Sequence, residues 1–259
     1  YSALYWPDHK RKMNRTQDQE ATGQVRQMYD MSRKRFSLWF PIFWKAIETY
    51  GAPPSMTALH LASLNGHERE VEFLLSFGGN GINSAGGTGT YPVISASLNG
   101  YEKVVQLLLE RGAEVNAQDE QYGNALQAAS LEGHDKIVQL LLEEGATVNT
   151  QSVEYWKTLR DASSRGHNKV VQLLLEKGAE VNTEGRHFGY ALLAACLRGH
   201  DTIVQLLLEK GAEVNAQDEQ YGNALQAASY GGHDKVVRLL LEKGASINAQ
   251  GGQYGNALQ

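Results

Sequence analysis

Several large classes of protein are excluded by what this sequence lacks. A single cysteine, Cys196, rules out an internal disulfide framework and fits a reducing compartment. No apolar run approaches the ~20 residues that span a bilayer; the longest, FSLWFPIFW from Phe36 to Trp44, is interrupted by Pro41. No basic stretch followed by an apolar core opens the chain, so no secretory signal is visible. The glycine-rich stretches Gly78-Gly79-Asn80-Gly81 and Gly86-Gly87-Thr88-Gly89 are not followed by Gly-Lys-Ser/Thr. They read as a loosened loop or hinge, not as a phosphate cradle. No distinctive Ser/His/Asp set or carboxylate pair stands out, since Glu176, Glu180, Glu209 and Glu213 recur as a solvated face. The expectation is a chain without catalytic residues and without a cofactor.

What is present is unevenly charged. Hydrophobic residues make up 42% and charged residues 20%, enough apolar material for a folded core. The net charge of −5 conceals a balance of +4 over residues 1–54 and −9 over the remainder. An acidic region repels phosphate backbones, so nucleic acid is not the expected partner. Gly51-Ala52-Pro53-Pro54-Ser55 marks the expected boundary between a helical N-terminal segment, 1–54, and the rest of the chain. Two apolar groups, Tyr1, Tyr5 and Trp6, then Leu38, Phe40, Phe43, Trp44 and Ile47, suit that segment to capping the first structural unit beyond residue 54. The alternative is that its basic residues, Lys10-Arg11-Lys12 through Arg33-Lys34-Arg35, touch an acidic partner or a membrane surface. The opening on Tyr1 and the stop at Gln259, in mid-pattern, suggest a window from a longer polypeptide.

The pattern is a repeat. GAEVNAQDEQYGNALQAAS occurs at 112–130 and again, unchanged, at 211–229, a step of 99, or three times 33. Gly-His pairs at Gly133-His134, Gly166-His167, Gly199-His200 and Gly232-His233 keep the 33-residue step. So do leucine triplets starting at Leu107, Leu140, Leu173, Leu206 and Leu239, and the asparagines 83, 116, 149, 182, 215 and 248. Six units are countable and a seventh begins at Tyr254. Each reads as two short helices and a turn. In the second helix of one unit Ile137, Val138, Leu141 and Leu142 share a face, with Lys136, Gln139 and Glu143 off it. Asp135 is placed to cap that helix and Gly145 to end it. A single helix pair cannot bury both flanks, so the units must stack into a solenoid.

Thr57-Ala58-Leu59-His60-Leu61-Ala62, Gly66-His67 and Gly112-Ala113-Glu114-Val115-Asn116-Ala117 resemble the ankyrin repeat, over about 55–259. That resemblance implies an all-α ankyrin solenoid with hairpin loops, binding protein through its concave face. Later copies replace the threonine-histidine motif by Tyr122-Gly123-Asn124-Ala125-Leu126-Gln127, a wording similar to the C-terminal arrays of fungal NACHT-type receptors. Tyr5-Trp6-Pro7-Asp8-His9 resembles a segment that precedes such arrays. The finer resemblance implies a cytoplasmic sensing region, or an array that restrains an upstream nucleotide-binding NACHT-type domain by intramolecular contact.

Comparison among copies points to a binding face. The two residues before the inter-helix glycine differ from copy to copy: Leu64-Asn65, Leu98-Asn99, Leu131-Glu132, Ser164-Arg165, Leu197-Arg198 and Tyr230-Gly231. Hairpin residues vary too, as Glu120-Gln121, Val153-Glu154, Arg186-His187 and Glu219-Gln220. Unrestrained drift would also vary exposed positions, but leucine and tyrosine are less expected there. The expected protein-binding residues are Leu131, Glu132, Trp156, Lys157, Ser164, Arg165, Arg186, His187, Leu197, Arg198 and Tyr230. The copy at 155–182 departs most. Asp161 occupies an alanine slot and needs a partner, Arg160 or Arg165; the copy is either degenerate or a recognition hot spot built on Trp156, Lys157, Arg160 and Arg165. The recurring histidines, His67, His134, His167, His200 and His233, lie one per layer at roughly 8–10 Å spacing. They cannot converge on one zinc at ~2 Å, so hydrogen bonds at the turns are expected instead.

Overall fold

The computed structural model describes residues 57–76, 81–86, 90–149, 158–182, 191–218 and 221–252. Residues 1–54, for which a helical cap is expected, lie outside the described residues. The contacts divide the chain into two compact units, 1–125 and 126–259.

The first unit holds α1 (Ala58–Leu64), α2 (Glu68–Ser76), α3 (Pro92–Leu98), α4 (Glu102–Glu110) and a two-stranded hairpin, β1 (Gln118–Asp119) with β2 (Gly123–Asn124). The strands pair antiparallel, Gln118 against Asn124 and Asp119 against Gly123. Helix α1 packs on α3 and α2 on α4, so first and second helices form two layers. Val71, Ile94, Val104, Val105 and Leu108 are fully buried between them.

The second unit holds α5 (Ala125–Glu132), α6 (Asp135–Glu143), α7 (Thr158–Arg165), α8 (Asn168–Glu176), α9 (Ala191–Arg198), α10 (Asp201–Glu209), α11 (Ala224–Tyr230) and α12 (Asp234–Glu242). The inner layer runs α7 on α9 on α11, and the outer layer α6 on α8 on α10 on α12. Helices of 7–9 residues are too short to stand alone in water, so this packing is what holds them. The stripe is the one the spacing predicts: Ile137, Val138, Leu141 and Leu142 are buried, and Val170, Val171, Leu174 and Leu175 repeat it one unit on. Each such side chain contributes roughly 1.5–3 kcal/mol. Ala194, Ala195, Ala227 and Ala228 let the inner helices approach closely.

Gly145 ends α6 at φ +85°, as its place predicts. The expected cap does not form. The residue before α6 is His134, with no side-chain cap, and Asp135 is the first helical residue, where its charge still complements the helix dipole. The same shift recurs at His167, His200 and His233.

Candidate functional site

Where the inner helix ends, three groups converge. One is the variable pair, the second is the inter-helix glycine and the third is the histidine of the following repeat. His167 Nε2 donates to the carbonyl of Leu131 at 3.1 Å, His200 Nε2 to Ser164 at 3.0 Å, and His233 Nε2 to Leu197 at 3.0 Å. The expected turn hydrogen bonds are therefore found for His167, His200 and His233, and each spans two repeats. Glycine is needed at the turn twice over. Gly133 lies at φ +78°, and a Cβ there would stand 2.5 Å from Nδ1 of His167.

The histidine thus fixes the main chain of the first variable residue while leaving its side chain unspecified. Leu131, Ser164 and Leu197 are half-buried, less open than their variability suggests, whereas Tyr230 in the same slot is 60% exposed. The second residue of the pair, Glu132, Arg165 or Arg198, is more open to solvent. Glu132 accepts a bond from Arg165 across one repeat at 3.1 Å. Arg198 makes no hydrogen bond or ion pair among the described residues. In the first unit the equivalent residues do something else: Asn65 and Asn99 turn back, their Nδ2 donating to Leu61 at 2.7 Å and Ser95 at 2.8 Å.

Asp161 finds its partner in Arg160, at 2.8 Å, and Arg165 is engaged elsewhere. Its alanine slot is half-buried, so the pair meets water on one side and the charge is accommodated. Trp156, Lys157, Arg186, His187 and the hairpin residues Val153, Glu154, Glu219 and Gln220 lie outside the described residues; Glu120 and Gln121 are exposed. The sequence gives no signal for a tyrosine pair found beside this site. Tyr221, from the hairpin, meets Tyr230 edge-on, with centroids 6.3 Å apart and planes at 61°.

Two further devices hold successive repeats in register. Asn182 Nδ2 donates to Gly211 at 2.9 Å while its Oδ1 accepts from the Glu213 amide at 2.9 Å. Asn83, Asn149 and Asn215 repeat both bonds. The 33-residue step of these asparagines is visible in the sequence, but partners 29–31 residues away are not. The second device explains the change of wording between early and late copies. Thr57 and His60 form a reciprocal cap on α1, and His60 Nε2 reaches the Ser84 carbonyl at 2.7 Å. Asn223 and Gln226 form the same reciprocal cap on α11, and Gln226 Nε2 reaches the Gly251 carbonyl at 3.1 Å. Burial lowers the His60 pKa, against hydrogen bonds to the Ser84 and Thr90 backbone that raise it.

Cys196 is fully buried and burial pushes its thiol pKa up, so it stays a protonated small side chain. Among the described residues no group of three or more His, Cys, Asp or Glu is arranged to hold a metal, and no helix is long and apolar enough to cross a membrane. An open groove of about 610 Å³ lies between α8 and α10 on the outer layer. Lys169, Glu176, Glu209 and Lys210 line it, charges of both signs without a focus.

Residues 42–119, 112–185 and 159–251 match the family model for ankyrin repeats, in three copies. The human ASB11 ankyrin repeat domain is similar, with a TM-score of 0.73 and 28% identity, over 78% of this chain and 90% of that one. The ankyrin repeat domain of Bcl-3, described as a unique member of the IkappaB protein family, is similar with a TM-score of 0.65 and 28% identity, over 78% of this chain and 92% of that one. No curated protein matches the sequence.

Proposed function

We propose, from the premise that this chain belongs to the ankyrin-repeat family, that it is a non-catalytic scaffold gripping a protein partner through the concave face at its inner-helix ends. One observation carries the reading. Backbone positions at 131, 164 and 197 are held by histidine bonds from the next repeat, while the side chains there and beside them differ in size, polarity and charge. A fixed frame bearing variable side chains is what selective recognition requires. The small inner-layer alanines, which draw the helices into a rigid stack, support binding over chemistry.

The finer reading places the chain in the cytoplasm, as the sensing array of a fungal NACHT-type receptor, on the Y-G-N-A-L-Q-A-A-S wording and the Tyr5-Trp6-Pro7-Asp8-His9 segment. The opposite charges of residues 1–54 and the remainder favour a second reading, in which the array folds against neighbouring parts of its own polypeptide and restrains a switch domain. Neither reading calls for nucleic acid or a membrane.

A photo-crosslinking residue at Arg198 or Tyr230 of the full-length polypeptide tests both. Crosslinks to a different chain, absent when the crosslinker sits at Gln172 on the outer layer, support recognition. Crosslinks within the same polypeptide support restraint. Equal capture from inner and outer positions would remove the face from consideration.

A further inference from the structure

Resting on that reading, we infer that the partner presents a carboxylate beside an aromatic or large apolar side chain, received by Arg198 and Tyr230 at adjoining repeats. At 33-residue steps the second variable position reads Glu132, Arg165, Arg198, Gly231. Glu132 and Arg165 meet across one repeat at 3.1 Å, so the step places neighbours within reach of one another. The row is thus a matched acid and base, then a second base, then no side chain. Arg198 has the already paired Arg165 on one flank and a glycine on the other, so it finds no acid along the row. The nearest acid in sequence on its own repeat, Asp201, accepts from the Thr202 amide at 2.9 Å instead.

Gly231 also places no side chain beside Arg198. Its backbone lies against the preceding repeat, where a Cβ would stand 2.8 Å from the Leu197 carbonyl and 2.5 Å from the His233 ring. Immediately before Gly231 stands Tyr230, 60% exposed and braced edge-on by Tyr221. A guanidinium without a counter-charge along its row and a braced, exposed aromatic ring on the next repeat form a complementary receiver. It suits a planar carboxylate in bidentate contact with Arg198 and an apolar side chain against Tyr230. A basic segment would instead meet two arginines.

Selection of random dodecapeptides displayed on phage against the whole chain tests this. Recovered peptides are expected to carry Asp or Glu within two residues of Trp, Tyr, Phe or Leu. Their synthetic versions should lose at least tenfold in affinity to Arg198→Glu and several-fold to Tyr230→Ala. A Lys-for-acid exchange in the peptide should recover affinity on Arg198→Glu. Both positions face solvent; the unfolding midpoint of Arg198→Glu is expected to match the parent and that of Tyr230→Ala to fall only by the loss of its edge contact with Tyr221, which separates lost contact from lost fold. Peptides without an acid, or binding Arg198→Glu undiminished, overturn the proposal. If those peptides are nonetheless lost on Leu131→Ala or Ser164→Ala, the recognition face stands and only the acidic partner is withdrawn. Failure to recover any binding peptide overturns the proposal as well, and leaves the face itself to the crosslinking result.

Discussion

The two units solve the same problem at the ends of their inner helices and then use the solution differently. In the first unit Asn65 and Asn99 spend their side chains on carbonyls of their own helices, Leu61 and Ser95. In the second, Glu132, Arg165 and Arg198 project outward. The residue that reaches back over the preceding turn also changes. Tyr101 stands over Gly66 in the first unit, where a Cβ would meet its ring at 2.6 Å, whereas His167, His200 and His233 stand over their glycines in the second. A shared backbone plan therefore does not confer a shared surface. A side chain that caps its own helix is withdrawn from recognition, and a turn secured from the next repeat leaves the side chain available.

The comparison breaks hardest at the glycines. Gly133→Ala must adopt a left-handed conformation and also displace His167, while Gly232→Ala, at φ +69°, meets nothing within 4 Å. The first is expected to cost about 2–4 kcal/mol and the second about 1–2 kcal/mol. Urea unfolding of the two variants reads the difference, and equal losses would deny the histidine contact any role. Next in size is Cys196→Ser. Ser63, Ser97, Ser130 and Ser163 fill that slot in other copies, buried, with no hydrogen-bond partner for the hydroxyl among the described residues. Restoring serine should destabilise by about 1–3 kcal/mol, and Ser163→Cys should do the reverse. Thermal unfolding of each would show it; a gain on Cys196→Ser would contradict the assignment.

A smaller pair of effects separates capping from surface pairing. Asn99→Ala removes a helix-end bond and should cost about 1 kcal/mol. Glu132→Ala breaks a pair whose side chains, Arg165 and Glu132, are 47% and 38% exposed, and should cost about 0.2–1 kcal/mol, less in salt. Denaturant midpoints at low and high ionic strength distinguish them. Smallest at neutral pH is the contrast between His60 and Gln226. The folded pKa of His60 is lowered, so below about pH 6.5 the unfolded chain takes up the proton first. Its stabilising contribution is complete above that pH and declines as pH falls toward the folded value. His60→Gln, which copies the Gln226 arrangement, should flatten the pH dependence of amide exchange in α1 while leaving α11 unchanged.

Much of this architecture is legible in the sequence because each repeat restates the same environment. The 33-residue step, the Ile137-Val138-Leu141-Leu142 stripe and the glycine after α6 are all local signals, and all appear as expected. What is not legible is non-local. Asp135 has the spacing of a cap, but the chain enters the helix one residue earlier, at a histidine whose counterparts in later repeats reach back to the previous turn. The asparagine step announces importance without a partner, since the bonded groups lie about one repeat away. The substitution of Gln226 for a histidine reads as a change of family wording, and only the shared carbonyl contact reveals it as a chemical synonym. At the candidate site the variable positions are legible. That Leu131 and Leu197 are half-buried while Arg198 lacks an acid along its row depends on three-dimensional neighbours.

The histidine bond to a main-chain carbonyl carries one more implication. Its acceptor belongs to every amino acid alike, so the joint between consecutive modules asks only for the turn glycine of the module before it and leaves the bonded residue's side chain unspecified. Units cut at this joint are interchangeable parts: one can be duplicated, deleted or exchanged and the seam still closes. The nineteen residues spelled identically at 112–130 and 211–229 are the kind of trace such trade would leave.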